Sequence, residues 1–176
     1  TVKNVMIKVP EGNLKIVGVS QDFGIRGTIE IRGNDDELLE KELLNLDEKI
    51  INEENESLII EIPKDLQNRI KIYFEIIVPL KLNLDCSCLS SDIEVENIEG
   101  NINISNISGD MTLSDITGIV KTSTKSGDFT LERLKGEIEA CTLSGDIDAK
   151  ELEGKIKLKS IFLKQETMLL ETLAIL

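Results

Sequence analysis

The sequence contains no histidine and no tryptophan, and aromatic residues make up only 3% of its 176 positions. The absence of histidine removes Ser-His and Cys-His dyads, imidazole metal ligands and the usual general base near neutral pH. The scarcity of aromatic rings implies an aliphatic core, and the abundant isoleucine favours strands. The net charge of −13 argues against binding to nucleic acid or to an anionic membrane surface. No apolar run is long enough to span a membrane.

The negative charge is concentrated in one segment of the chain. Residues 34–57 contain ten acidic and two basic residues, and so carry eight of the 13 net negative charges. We therefore interpret this segment as a solvated excursion, and not as part of a general cation trap. The chain begins with Thr1 instead of Met, which leads us to expect a processed form of a longer protein.

The second half of the chain is built on a repeat of nine residues. From Asp92 onward eight successive units align, and the ninth position is glycine in seven of them. The second position is always apolar, the fourth is apolar or small, and the seventh is apolar except at Lys125. Serine and aspartate flank the ninth position of every second unit, where Ser91 stands in place of glycine in the first of them, so they recur every 18 residues. The serines are Ser90, Ser108, Ser126 and Ser144, and the aspartates are Asp92, Asp110, Asp128 and Asp146.

This repeat predicts an all-β fold, namely a single-stranded parallel β-helix (β-solenoid). Apolar residues at positions two and four are typical of a short strand with one inward face, and position seven supplies another inward anchor. Glycine ends each unit at a turn that requires a positive φ. Stacking buries the inner faces together, with coils of 18 residues made of two nonapeptides. We expect a right-handed coil, because parallel crossovers are nearly always right-handed.

We interpret residues 1–176 as a single β-solenoid domain with three regions. Residues 1–82 form irregular N-terminal coils, where "NVMIKVPEG" and "NLKIVGVSQ" show the nonapeptide pattern, and residues 83–162 form the regular coils. One excursion, at about residues 34–57, interrupts the first region. It starts with a short helix, indicated by the capping-box pair Asn34 and Glu37 and by a leucine stripe, and continues as two strands around a polar turn. The stripe either packs on the solenoid or binds a partner.

The C-terminal residues 163–176 depart from the repeat, since Leu163 replaces glycine. Apolar residues at positions 169, 170, 173 and 176 suit a helix. We expect this segment to form the C-terminal cap that an open solenoid end requires.

The stretch "IIVPLKLNLDCSCLSSDIEVENIEGNINISNISGDMTL", followed by further "SGD" coils, is similar to the adhesin-like family of bacterial β-helical domains, a family of unknown function. The similarity is strongest over residues 76–160. It implies a cell-envelope or surface setting, with a membrane anchor outside this chain. It supplies no catalytic residue and no cofactor.

The aspartate column has two interpretations. Carboxylates one coil apart repel by about 0.9 kcal/mol per neighbouring pair in water, so a local interaction must offset this. Asp92, Asp110, Asp128 and Asp146 either accept backbone N–H groups in Asx-turns, or form a Ca²⁺ ladder between coils.

Three cysteines are the remaining candidates for chemistry. Cys86 stands at an inward position and is expected in the core, Cys88 in a turn, and Cys141 outside or in a turn. Cys86 and Cys141 are about three coils apart, which is too far for a disulfide. The Cys-x-Cys pair leaves a metal or redox site open.

The sequence favours a non-catalytic surface module that binds a protein or a glycan. One alternative is an enzyme acting on polysaccharides, as other parallel β-helices do, although the acids lie in a ladder and converge on no cleft. The other is a scaffold that polymerises through its solenoid ends.

Overall fold

The computed structural model describes residues 2–20, 24–32, 46–164 and 167–175. That part of the chain contains one short helix, α1 (Leu46–Ile50), and twelve strands. The strands are β1 (Asn4–Val19), β2 (Gly24–Ile31), β3 (Ile51–Glu54), β4 (Ser57–Glu61), β5 (Ile70–Pro79), β6 (Asn83–Glu99), β7 (Ile102–Ser105), β8 (Met111–Ser126), β9 (Phe129–Ser144), β10 (Ile147–Lys150), β11 (Glu153–Lys164) and β12 (Thr167–Ile175). All twelve belong to one sheet, so the predicted all-β class is confirmed. Within the described ranges, no helix has the length and apolarity needed to cross a membrane.

Parallel pairing at a fixed offset organises the second half of the chain. Residues of β8 pair with residues of β9 that lie 18 positions later, as in Met111 with Phe129 and Val120 with Ile138. The same offset relates β6 to β7 and β8, and β9 to β10 and β11. Corresponding residues of successive repeats therefore lie side by side, about 4.8 Å apart. This is the register that the sequence repeat predicts.

The N-terminal strand β1 lies inside the stack, not at its end. On one side it pairs with β6, which joins Asn4 to Asn83 and Asn13 to Asp92 and confirms that the N-terminal pattern is in phase with the repeat. On its other side it pairs in parallel with β4 and then with β5. After β1 the chain returns and pairs β4 and β5 with one edge of β1. It then pairs β6 with the opposite edge.

Antiparallel strands close both ends of the stack. At the N-terminal end β3 pairs with β4 and β2 pairs with β5. The predicted two strands around a polar turn are confirmed as the β3–β4 hairpin, whose turn residues Asn55 and Glu56 both have positive φ. At the C-terminal end β12 pairs with β11.

The prediction of a helix in residues 163–176 is wrong. This segment continues β11 and then forms strand β12, antiparallel to it. Only residues 165 and 166 separate the two strands, and a parallel partner would require a crossover of a dozen residues or more. Pairing with β12 satisfies the backbone groups that the outer edge of β11 would otherwise expose. This gain outweighs the preference for a helix that the apolar spacing indicates.

An aliphatic core runs along the inside of the stack. Inward residues such as Ile93, Val95 and Leu113 are at most 2% exposed, and each contributes about 1.5–3 kcal/mol by burial. In the excursion, Leu46 and Ile50 of α1 are buried in the same cluster, which favours packing on the solenoid for this part of the stripe. The predicted capping box of Asn34 and Glu37 lies outside the described residues. The leucines of the stripe that come before Leu46 also lie outside them.

Alternate units differ in which residue they turn inward. In the unit that starts at Asp92, position seven (Ile98) is buried, as the sequence predicts. In the next unit position six (Asn106) is buried, whereas position seven (Ile107) is 44% exposed. The expectation that position seven always anchors the core is therefore wrong for the interleaved units that contain Ile107 and Leu143.

A column of left-handed residues explains this difference. Asn97 has φ 59°, and the residues at its position in later coils, Asp115, Arg133 and Glu151, have φ of 53–55°. One left-handed residue in an extended segment interrupts the alternation of side chains, as in a β-bulge, so the next residue points inward. In the interleaved units the strand stays extended through position six, and position seven points outward.

The glycine column is required by the stacking of coils as well as by the turn. Gly136 has φ 131°, and a Cβ atom there would lie 2.1 Å from the carbonyl oxygen of Gly118 in the preceding coil. A side chain would therefore clash with backbone as well as strain the turn.

Candidate functional site

The Ser-Gly-Asp corner brings the four predicted aspartates into one exposed column. The backbone N–H groups of Asp110, Asp128 and Asp146 each donate to Oδ1 of the aspartate one coil earlier, at 3.0, 2.9 and 2.8 Å. These bonds join successive coils, so the predicted backbone acceptance is correct but the Asx-turn within one coil is wrong. The aspartate column thus links successive coils by hydrogen bonds at this corner.

At the opposite corner, uncharged asparagine side chains form similar hydrogen bonds between coils. The N–H of Asn101 donates to Oδ1 of Asn83 (3.2 Å), and Nδ2 of Asn83 donates to Oδ1 of Asn4 (3.1 Å). The stacking hydrogen bond therefore does not require a carboxylate. The charge of the aspartate column remains available for another role.

Calcium binding by Asp92, Asp110, Asp128 and Asp146 stays a prediction. Their column offers one free carboxylate oxygen per coil, since Oδ1 of the first three is taken by a backbone N–H. Over the described ranges, no cluster of three or more His, Cys, Asp or Glu residues could hold a metal ion, and no ion pair involves these aspartates.

Polar side chains inside the solenoid brace the same corner. At position six of three of the four interleaved units, a buried or half-buried polar residue donates to a backbone carbonyl 15 residues earlier, at the corner of the preceding coil. The pairs are Asn106 to Ser91 (2.6 Å), Thr142 to Gly127 (3.1 Å) and Ser160 to Gly145 (2.7 Å). Thr124 donates instead to Ile107 and Ser126 (both 3.4 Å). Because these donors are satisfied, the corner is held rigidly from within.

An exposed apolar column, which we name the ridge, runs beside the aspartates. It consists of Leu89, Ile107 and Leu143, which are 53%, 44% and 40% exposed. The pairing of Ser90 with Ser108 and of Ser108 with Ser126 places Leu89 and Ile107 one coil apart, and Leu143 lies two coils beyond Ile107. Lys125 occupies the same column between Ile107 and Leu143 and is exposed. It points outward because the whole column does.

The ridge was missed because the sequence pattern at position seven is the same in both kinds of unit. The available signal lies one residue earlier. Asn97 and Asp115 readily adopt the left-handed conformation, whereas the β-branched Thr124 and Thr142 resist it. Threonine at position six therefore indicates a unit that stays extended and exposes its position-seven residue.

A family model describes the same architecture, since the Toastrack DUF4097 model matches residues 2–165. The chain belongs to the Toastrack DUF4097 family. This family has a β-helix-like fold, so the β-helical part of the predicted resemblance is confirmed, and its function is uncharacterised. No curated protein and no solved structure matches the chain.

The three cysteines of this Toastrack domain are free thiols. Cys86 is buried, as predicted, but the expectation that Cys88 lies in a turn is wrong, because it lies in β6 and is also buried. Their Sγ atoms are 3.6 Å apart. A hydrogen bond between the two thiols, together with burial, raises the pKa of Cys86, and the same bond lowers the pKa of Cys88. Cys141 lies half-buried in β9.

Ion pairs join successive coils away from the ridge. The Arg133 guanidinium binds Asp115 with both forks, Nε to Oδ1 at 2.7 Å and Nη2 to Oδ2 at 2.8 Å, which lowers the pKa of Asp115. Lys155 binds Glu137 in the preceding coil at 2.9 Å. Pairs as exposed as these contribute little to the stability of the Toastrack domain.

Proposed function

We propose that this Toastrack domain is a non-catalytic interaction module that binds a protein through the ridge and the neighbouring aspartate column. The observation that carries the proposal is the exposure of Leu89, Ile107 and Leu143 in one line. A single exposed apolar residue needs no explanation, whereas aligned ones on a rigid corner suit an interface.

The charge of the column specifies the partner. Asp92, Asp110, Asp128 and Asp146 repeat at the coil spacing, and no ion pair among the described residues involves them. A partner surface with apolar side chains beside lysine or arginine is complementary to this corner. We therefore propose a basic, partly apolar protein surface as the ligand, in preference to a glycan, which the few aromatic residues of the chain do not favour.

We further propose a right-handed solenoid at the cell envelope or surface, held there by a membrane anchor outside this chain. A right-handed coil follows from the general preference of parallel crossovers. The setting follows from the resemblance to adhesin-like β-helical domains, and a rigid rod suits the display of a binding face at a distance from an anchor.

The two alternative functions have less support. Enzymatic hydrolysis by paired carboxylates needs two acids that face one reacting bond, whereas these aspartates lie in a line and use Oδ1 for backbone bonds. Polymerisation through the ends is opposed by the antiparallel strands β2, β3 and β12, which interrupt the parallel stacking register.

A photo-cross-linking experiment tests the proposal in cells that make the full-length protein. A photoreactive residue replaces Ile107 in one variant and Ile119, which is 40% exposed but outside the ridge, in the matched control. We expect the first variant to give a discrete protein adduct whose linked segment contains apolar and basic residues. The adduct yield should fall at high salt and on Asp110→Asn with Asp128→Asn.

Equal adducts from both positions, or none from position 107, would contradict the proposal. An adduct between two copies of the chain would favour the polymerising scaffold instead. Turnover of an acidic polysaccharide by the purified domain would favour the enzyme.

A further inference from the structure

Three Asn-x-Ser triplets occur in the chain, and they begin at Asn55, Asn103 and Asn106. None of them has proline in the middle, so each is an acceptor motif for N-linked glycosylation, which joins an oligosaccharide to the asparagine side-chain amide. A motif this short also arises by chance. The position of each asparagine in the fold therefore decides which triplet a glycosyltransferase can reach.

The triplet at Asn106 is excluded by burial. Its asparagine side chain is 4% exposed, and the Nδ2 atom donates to the Ser91 carbonyl at 2.6 Å. The nitrogen that would carry the sugar is therefore inside the solenoid and is held by the hydrogen bond that braces the corner. Transfer of a sugar to it would require the coil to open locally.

The triplet at Asn103 is exposed but lies in the middle of the sheet. Asn103 pairs with Asp85 of β6 on one side and with Lys121 of β8 on the other. Its backbone is therefore held between two parallel neighbours, and only the outward side chains of the triplet are presented. A transferase cannot enclose this triplet without separating β7 from the strands beside it.

The triplet at Asn55 lies at the tip of the β3–β4 hairpin, and β3 is the last strand of the described sheet. Asn55 and Glu56 are exposed and form a tight turn, with φ of 47° and 63°. None of the described residues forms a hydrogen bond with the Asn55 side chain. Its amide nitrogen is therefore exposed on a projecting turn and is not engaged by the fold.

Neighbouring contacts fix this turn without using the acceptor. The N–H groups of Lys3 and Asn4 donate to the Glu56 carbonyl oxygen at 2.7 and 3.2 Å, and the Lys3 ammonium binds the Glu56 carboxylate at 2.8 Å. Asn55 and Ser57, the first and last residues of the triplet, both line an open cleft of about 590 Å³. The acceptor asparagine and the serine that the motif requires therefore border the same accessible space.

We propose that Asn55 is a site of N-linked glycosylation, with an oligosaccharide carried on a lipid diphosphate as the donor. The Nδ2 atom of Asn55 forms a bond to the anomeric carbon of the first sugar and loses one proton. The bond from that carbon to the diphosphate oxygen breaks, and the lipid diphosphate leaves with the bonding electrons. This proposal rests on the proposed extracytoplasmic setting, because the domain must meet a donor and a transferase that are held in a membrane.

The test is mass spectrometry of the full-length protein purified from the cells that make it. Trypsin releases residues 50–64 as a peptide that contains only this triplet. We expect the peptide to carry a sugar mass that fragmentation assigns to Asn55. Ser57→Ala keeps the turn residues and should abolish the modification, whereas Ser57→Thr keeps the hydroxyl and should preserve it. The matched control Asn103→Gln should leave it unchanged.

An unmodified Asn55 in the native protein overturns the proposal, and so does a glycan on Asn103 or Asn106 in its place. Protease treatment of spheroplasts, which are cells without a wall or outer membrane, tests the setting separately. Digestion of a protein without a glycan overturns the modification and supports the setting, whereas a protected protein without a glycan overturns both. The ridge is tested independently, since the cross-linking experiment does not require the glycan.

Discussion

The stacking role of the aspartate column is tested by two substitutions that differ only in hydrogen bonding. Asp110→Asn with Asp128→Asn keeps an Oδ1 acceptor for the next coil, whereas Asp110→Ala with Asp128→Ala removes it. Two backbone N–H groups lose their partner in the alanine variant, those of Asp128 and Asp146. At about 1 kcal/mol for each hydrogen bond, we expect the alanine variant to be about 2 kcal/mol less stable than the asparagine variant.

Charge repulsion sets the stability of the asparagine variant relative to the native chain. Carboxylates about 4.8 Å apart repel by about 0.9 kcal/mol in water, and the double substitution removes all three neighbouring pairs of the column. Physiological salt reduces this relief by roughly half, to about 1.3 kcal/mol. The loss of two charge-assisted bonds offsets most of it, so we expect the asparagine variant to lie within about 1 kcal/mol of the native chain.

Thermal unfolding followed by circular dichroism measures both differences. A change of 2 kcal/mol corresponds to about 4–8 °C in Tm for a domain of this size. Asp85→Asn is the matched control, an exposed aspartate outside the column. Equal loss in the asparagine and alanine variants would refute the hydrogen-bond explanation.

Calcium is measured with the same variants. A specific site at 100 times Kd adds about 2.7 kcal/mol, and only the native column would show it. If the aspartates serve stacking and partner binding, millimolar Ca²⁺ and Mg²⁺ should have equal effects. A Ca²⁺-specific rise in Tm that the asparagine variant abolishes would establish the calcium ladder.

Two further predictions concern other parts of the stack. Gly136→Ala should lower the free energy of unfolding by at least 3 kcal/mol, because it combines a strained φ with a 2.1 Å approach to a carbonyl oxygen. The control Gly24→Ala, which has open space around it, should change the free energy of unfolding by less than 1 kcal/mol. Similar melting temperatures of the two variants would contradict the stacking argument. The lowered pKa of Asp115 implies that the stabilising effect of its Arg133 pair is present above the unfolded pKa of aspartate and is lost as the pH falls through the folded pKa. An NMR titration should find the pKa of Asp115 below that of an ordinary aspartate, and Arg133→Gln should abolish the difference. An unshifted Asp115 pKa in the native chain would contradict the bidentate pair.

The periodic part of the fold was predictable because each local rule repeats in every unit. Glycine at position nine and apolar residues at positions two and four recur often enough to define both the strand and the offset between strands. Asn4 and Asn13 extend the phase to the N-terminus, and their pairing with Asn83 and Asp92 confirms it.

The order of strands at the N-terminal end was not predictable from the repeat. Strand β1 pairs with β6 across 79 positions instead of 18, because the intervening segment folds back onto the outer edge of β1. Hydrophobic alternation gives the inward face of a strand, but it carries no information about which edge receives the next strand. That choice depends on long-range pairing, which a single sequence does not display.

The candidate site was predicted only in part, and the reason is one backbone angle. Position seven looks equally apolar in all units, yet a left-handed residue at Asn97 and Asp115 turns the following side chain inward, and its absence at Asn106 leaves Ile107 in solvent. Asn106 could adopt that conformation as easily as Asn97, so residue preference alone does not separate the two. The bond from its Nδ2 to the Ser91 carbonyl holds it inward instead. The exposure of Ile107 and Leu143 is thus a consequence of the buried polar column, because the hydrogen bonds of Asn106 and Thr142 fix the alternation that places the next residue outside.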